Sequence, residues 1–140
     1  MRIMALDVGD SRIGVALSDP LEMLASPLTI IRRLNEASDI QNVANLVNEH
    51  KVGKLLVGLP LSLSGETGMQ AQKVKDFTEK LASVLFIPLE MVDERFSTVT
   101  AREYMHETAK KKDHFKKKDD AIAAAVILQS YLDEASSRRG

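Results

Sequence analysis

The order of its apolar runs restricts this chain more than any other feature. Three strand-like runs come first: residues 2–8, Ile13–Leu17 and Leu28–Ile31. Each is too short for a helix, and the Gly9-Asp10-Ser11 turn between the first two makes them a hairpin. Pro20 and Pro27 bracket a loop. After Ile31 the period changes. Ile40, Val43, Ala44 and Val47 stand at i, i+3, i+4 and i+7, the buried stripe of a helix, and Gly53 lies beyond as its stop. Leu55–Val57 is a short strand, Val74, Phe77, Leu81 and Val84 mark one face of a second helix, and residues 87–92 are a fifth strand. Ser97 or Thr98 offers a cap for a helix through Met105 that exposes Glu103. Residues 119–133 form a last helix, apolar nearly all round and therefore deeply packed, before a frayed tail. A meander followed by βαβ units implies an α/β fold: a five-stranded mixed sheet flanked by helices, in one domain spanning residues 1–140.

Three acidic positions sit where apolar runs begin or end. Asp7 closes the first strand, on the face of Ile3 and Ala5 because side chains alternate. Asp93 and Glu94 close the fifth; being adjacent, they point to opposite faces, so one of the two can join Asp7. Asp119 and Asp120 open the last helix, where acids also suit the positive helix end without any function. Carboxylates gathered at one sheet edge are costly unless a cation sits among them. Hard oxygen donors select Mg²⁺ or Mn²⁺, and two such ions about 4 Å apart serve both the attacking water and the leaving oxygen of a phosphodiester. The pattern points to a metal-dependent nuclease.

Charge distribution fits that chemistry better than the net charge of −1 suggests. Residues 110–118 carry Lys110, Lys111, Lys112, Lys116, Lys117 and Lys118 against one acid, Asp113. This segment is +5 and the remainder −6, and local clusters govern phosphate contact. With two Tyr, four Phe and no Trp, base stacking is a minor term. His50, His106 and His114 show no zinc spacing, and there is no Walker loop or Gly-x-Ser-x-Gly elbow. The absence of cysteine suits a cytoplasmic protein, and no run approaches the length of a membrane span.

The segments Asp7-Val8-Gly9-Asp10-Ser11-Arg12-Ile13-Gly14-Val15-Ala16, Gly58-Leu59-Pro60-Leu61 with Gly65, Asp93-Glu94-Arg95-Phe96-Ser97-Thr98, and Lys118-Asp119-Asp120-Ala121-Ile122 with Ile127-Leu128-Gln129-Ser130-Tyr131-Leu132 follow one another in order. Together they resemble the motifs of the YqgF/RuvX family, across nearly the whole chain. The resemblance implies an RNase H-like fold and a nuclease assigned to the 5′ end of precursor 16S ribosomal RNA, also described as a Holliday junction resolvase acting on branched DNA. It implies Asp7, Glu94 and Asp120 as catalytic metal-binding acids, with Asp119 beside Asp120 leaving the third ligand open by one residue. It implies Arg12 and Arg95 as contacts to backbone phosphate or to the acids. Independently of the resemblance, the charge of the six lysines within 110–118 suits them to track the strand backbone. A resolvase making two symmetric cuts would act as a homodimer. Two other classes fit part of the pattern: a non-catalytic nucleic-acid-binding module, and half of an actin-like or sugar-kinase-like nucleotide site, whose phosphate hairpin also opens with Asp-x-Gly after a strand.

Overall fold

The computed structural model describes residues 1–60, 68–94, 102–103 and 119–139, with residues 119, 120, 138 and 139 described by their backbone alone. Five strands, β1 (Arg2–Val8), β2 (Arg12–Ser18), β3 (Ala25–Arg32), β4 (Val52–Leu59) and β5 (Leu89–Asp93), form one sheet in the order β3-β2-β1-β4-β5. The pairs β1–β2 and β2–β3 are antiparallel; β1–β4 and β4–β5 are parallel. Helices α1 (Glu36–Glu49) and α2 (Met69–Ala82) connect the later strands, and α3 (Asp119–Arg139) ends the chain. Arg102 and Glu103 are helical and exposed.

Two apolar clusters show which helix covers which face. Met4, Leu6, Val8, Ile13, Val15, Ile31 and Val57 pack with Val43, Val47, Val74 and Phe77, so α1 and α2 lie on that face. Ile3, Ala5, Ala16, Ala25 and Leu56 pack with Ile122, Ala124, Ala125, Leu128 and Leu132 of α3. Alanines on both sides of that second interface leave room for the helix to lie close to the sheet, and residues 121–129 are buried except Ala123. Among the described residues no helix is long and apolar enough to cross a membrane.

Boundaries differ from the sequence expectation in several places: β5 begins at Leu89, not at residue 87, and β4 extends from Val52 to Leu59 around the expected Leu55–Val57. β3 begins at Ala25, so Pro27 lies inside a strand instead of closing a loop. An edge strand with a register shift beside its partner tolerates a residue that cannot donate to the ladder. Helix α1 ends at Glu49 with His50 as its cap, and the chain turns at Lys51, whose φ of 53° is left-handed. Gly53, expected as the stop, is the second residue of β4. Val84 lies past the end of α2 and is exposed instead of completing its buried face. Helix α3 continues to Arg139 through residues expected to fray. The expected cap at Ser97 or Thr98 and the whole lysine segment fall outside the described residues.

Candidate active site

Asp7 is the last residue but one of β1, on the α3 face with Ile3 and Ala5. Directly opposite it on β2 is Gly14, which places no side chain beside the carboxylate. Glu94 follows the end of β5. Val92 packs on the α3 side, so alternation brings Glu94 to that face and turns Asp93 away. Strands β1 and β5 are not neighbours, since β4 runs between them. At about 4.8 Å per strand the two acids start roughly 10 Å apart. The intervening position on this face is Gly58. A β-carbon there would stand 2.7 Å from Glu94 Oε1, 2.7 Å from Ile127 Cδ1 and 3.1 Å from Glu94 Cγ. The glutamate thus reaches through the space a side chain would fill and meets Asp7, with which its carboxyl is hydrogen-bonded.

Two carboxyl groups in contact cannot both ionise cheaply. The Glu94 carboxyl is pushed up from 4.5 to about 8, first by burial, then by its hydrogen bond to Asp7 and by the negative charges of Asp7 and Asp93. One proton therefore bridges the pair at neutral pH. Among the described residues no third His, Cys, Asp or Glu completes a set of three donors.

The surrounding chain fixes this edge. Gly9 N donates to Arg12 O at 2.8 Å, closing the turn after Asp7. Arg33 Nη1 donates to Gly9 O at 2.9 Å, its Nε donates to Asp39 Oδ2 at 2.9 Å, and its guanidinium lies 5.0 Å over the Phe77 ring. Asp39 is 1% exposed, so this ion pair is largely shielded from water and holds its geometry. From α2, Gln70 Nε2 donates to Val8 O at 3.4 Å, and Lys73 lies 3.5 Å from Asp10. Helix α3 runs against β4: Ile127 meets Gly58 near the strand's end, and Lys54 near its start donates to the Tyr131 hydroxyl. Helix α3 therefore runs antiparallel to β4, with its amino-terminal end toward the carboxyl edge of the sheet.

Of the residues singled out from sequence, the structure brings Asp7 and Glu94 into contact and leaves Arg12 exposed at the same edge. Asp120 is described in its helical backbone only. Arg95 and Lys110, Lys111, Lys112, Lys116, Lys117 and Lys118 lie outside the described residues. Sequence reasoning missed the clearance above Gly58 and the Arg33–Asp39 brace. The first had a signal, a glycine closing an apolar run at strand length. The second had none, because nothing in a sequence pairs residues across a strand end.

The shared proton gives a pH prediction. Below about 4.5 folded and unfolded chains both hold it; above that the unfolded chain releases it while the folded chain keeps it until about 8. The metal-free protein therefore loses stability as pH rises between these values. Because the group is only partly buried, solvent screening leaves about 1–2 kcal/mol of the effect. Thermal melts at pH 5.5 and pH 8 should show wild type falling relative to Glu94→Gln, whose amide mimics the protonated acid. Identical pH profiles for the two proteins would contradict the shared proton.

A mixed sheet in this order, with helices on both faces and acids at its carboxyl edge, defines an RNase H-like fold. Solved structures agree on the fold. RuvC of T. thermophilus in complex with Holliday junction substrate has a TM-score of 0.68, 11% identity and coverage of 98% of this chain and 96% of that one. The Fowlpox virus resolvase complexed with Holliday junction DNA has a TM-score of 0.61, 14% identity and coverage of 96% and 99%. The family described as "RuvX: Holliday junction resolvase" matches residues 1–134, and the chain belongs to that family. A relative from Dehalococcoides mccartyi, provisionally named a pre-16S rRNA nuclease, is 50% identical over 129 residues, covering 92% of this chain and 96% of its own. One from Roseiflexus sp. with the same name is 45% identical over 132 residues, 94% of each chain.

Proposed function

We propose that this protein is a Mg²⁺- or Mn²⁺-dependent nuclease that processes the 5′ end of precursor 16S ribosomal RNA, with Asp7, Glu94 and Asp120 as its metal-binding acids. The contact between Asp7 and Glu94 carries the reading. Two carboxyls drawn from separate strands and held together against their own repulsion are a donor set suited to a hard divalent ion in place of the proton. Helical phase favours Asp120 over Asp119 for the third position. Position 120 lies two turns before Ile127 on the same line of the helix, and Ile127 is the residue that meets Gly58 beside Glu94. Position 119 is about 80° away from that line.

Bound there, divalent cations would activate water and stabilise charge on the attacking and leaving oxygens. Asp7, on the central strand between β2 and β4, would hold both ions, with Glu94 and Asp120 each holding one. The open turn at Gly9–Ser11 leaves the carboxyl edge accessible to a strand. The substrate assignment rests on the names of relatives 45–50% identical over nearly the whole chain. The family's description favours a second reading, in which branched DNA is cut; two symmetric cuts would call for a homodimer, and we place either activity in the cytoplasm.

The test is incubation with precursor 16S RNA, unstructured RNA and four-way DNA junctions, in Mg²⁺, Mn²⁺ or EDTA, with mass measured in solution. Cleavage of the precursor RNA, dependent on the metal and leaving 5′-phosphate and 3′-hydroxyl ends, is expected. Cleavage of junctions alone by a dimer would move the substrate to DNA. Cleavage undiminished in EDTA would sink the metal assignment.

A further inference from the structure

The strand register opposes two arginines. Arg12, first in β2, pairs directly with Arg32, last in β3, and both are exposed. Side chains directly opposite on a sheet stand about 5 Å apart at their β-carbons, and like charges there repel. Alternation fixes their face. Ile13 and Ile31 pack with α1 and α2, and Arg33 lies over Phe77 of α2, so Arg12 and Arg32 project from the other face. That is the face of Asp7, whose partner Gly14 is two residues from Arg12 on the same strand. The pair also stands at the same end of the sheet, because β3 runs parallel to β1. The brace from Arg33 to Asp39 and Gly9, with Arg33 N donating to Ser11 O at 2.9 Å, locks the backbone on either side of the two arginines. Among the described residues Arg32 has no acidic partner.

We propose that Arg12 and Arg32 form a phosphate clamp that grips the nucleic-acid backbone beside the cleavage site. Guanidinium groups bind phosphate through paired N–H donors, so two of them side by side on one face can hold a phosphate between them. Strand β3 lies about 10 Å from β1, so the clamp holds a phosphate of the same strand near, but distinct from, the one at Asp7. Arg32 becomes a substrate-positioning residue on the nuclease reading above.

The decisive measurement is binding of single-stranded RNA and of a four-way DNA junction by wild-type protein in EDTA, where cleavage does not intrude. Arg12→Ala and Arg32→Ala should each weaken binding about tenfold and reduce the slope of log affinity against log salt by about 0.7–0.9. Arg32→Lys should keep the slope. The melting temperature of Arg32→Ala should stay level; a purely structural role would lower it. Lys51→Ala, at the opposite end of the sheet, is the control and should change neither affinity nor slope. A stronger loss on RNA than on the junction would name RNA as the clamp's ligand, and the reverse would name DNA. Unchanged affinity, an unchanged slope in both alanine variants, or no binding by the wild type would overturn the clamp. Clamp-dependent binding with no cleavage in Mg²⁺ or Mn²⁺ would instead remove the nuclease reading and leave the clamp standing.

Discussion

An Asp7→Asn protein is expected to fold, bind nucleic acid and cut none of it. The carboxylate at position 7 is the point where the carboxyl edge of the sheet meets the Glu94 side chain. Asparagine keeps its shape and one oxygen but loses the charge that a divalent ion would need. When groups act as one unit, losing one commonly costs about 10³-fold or more in rate. The same substitution removes the negative charge facing Glu94, one of the causes that push its carboxyl to about 8. The amide can also donate a hydrogen bond to the ionised glutamate. Metal-free Asp7→Asn protein should therefore melt no lower than wild type at pH 8, and Mn²⁺ should raise its melting temperature less than it raises that of wild type. Loss of cleavage with stability retained separates a catalytic acid from a structural one. An Asp7→Asn preparation cutting precursor RNA at the wild-type rate would overturn the assignment of the site.

Much of this architecture is readable in sequence because local patterns specify it. The hairpin of β1 and β2 is signalled by a turn between apolar runs, and α3 by an apolar surface too wide for a helix facing solvent. The placement of Asp7 on the Ile3–Ala5 face follows from alternation alone, and that face is the one α3 covers. Boundaries were less legible. Gly53 looks like a helix stop, yet Lys51 takes the left-handed turn, because packing of β4 against β1 sets where the strand must begin. Pro27 looks like the edge of a loop, yet its strand is an outer one where a missing donor costs little. What stays hidden in sequence is relation between strands. That Arg12 faces Arg32 requires the β2–β3 register. That Glu94 reaches Asp7 requires knowing that β4 intervenes and that the residue it presents is a glycine.

Gly58→Ala is therefore expected to damage catalysis far more than folding. The added methyl would lie 2.7 Å from both Glu94 Oε1 and Ile127 Cδ1, too close for either to remain. Both are the far ends of flexible side chains, so each can withdraw at a stability cost of about 1 kcal/mol, at the low end for an overpacked site. For Ile127 the shift is a change of rotamer against the sheet. For Glu94 it is the loss of its path past Gly58 to Asp7. Displacement of a reacting group by about 1 Å can lower a rate about 10²-fold, which sets the expected loss of cleavage. The pH signature should vanish as well, because a glutamate turned away from Asp7 regains an ordinary carboxylate pKa. Measured together, cleavage rate, melting temperature and the stability difference between pH 5.5 and pH 8 distinguish this account from simple destabilisation. Destabilisation would lower the melting temperature and leave the pH dependence in place. Near-normal cleavage by Gly58→Ala would mean that Glu94 reaches the reacting phosphate by another path, and the clearance above β4 would then have no part in catalysis.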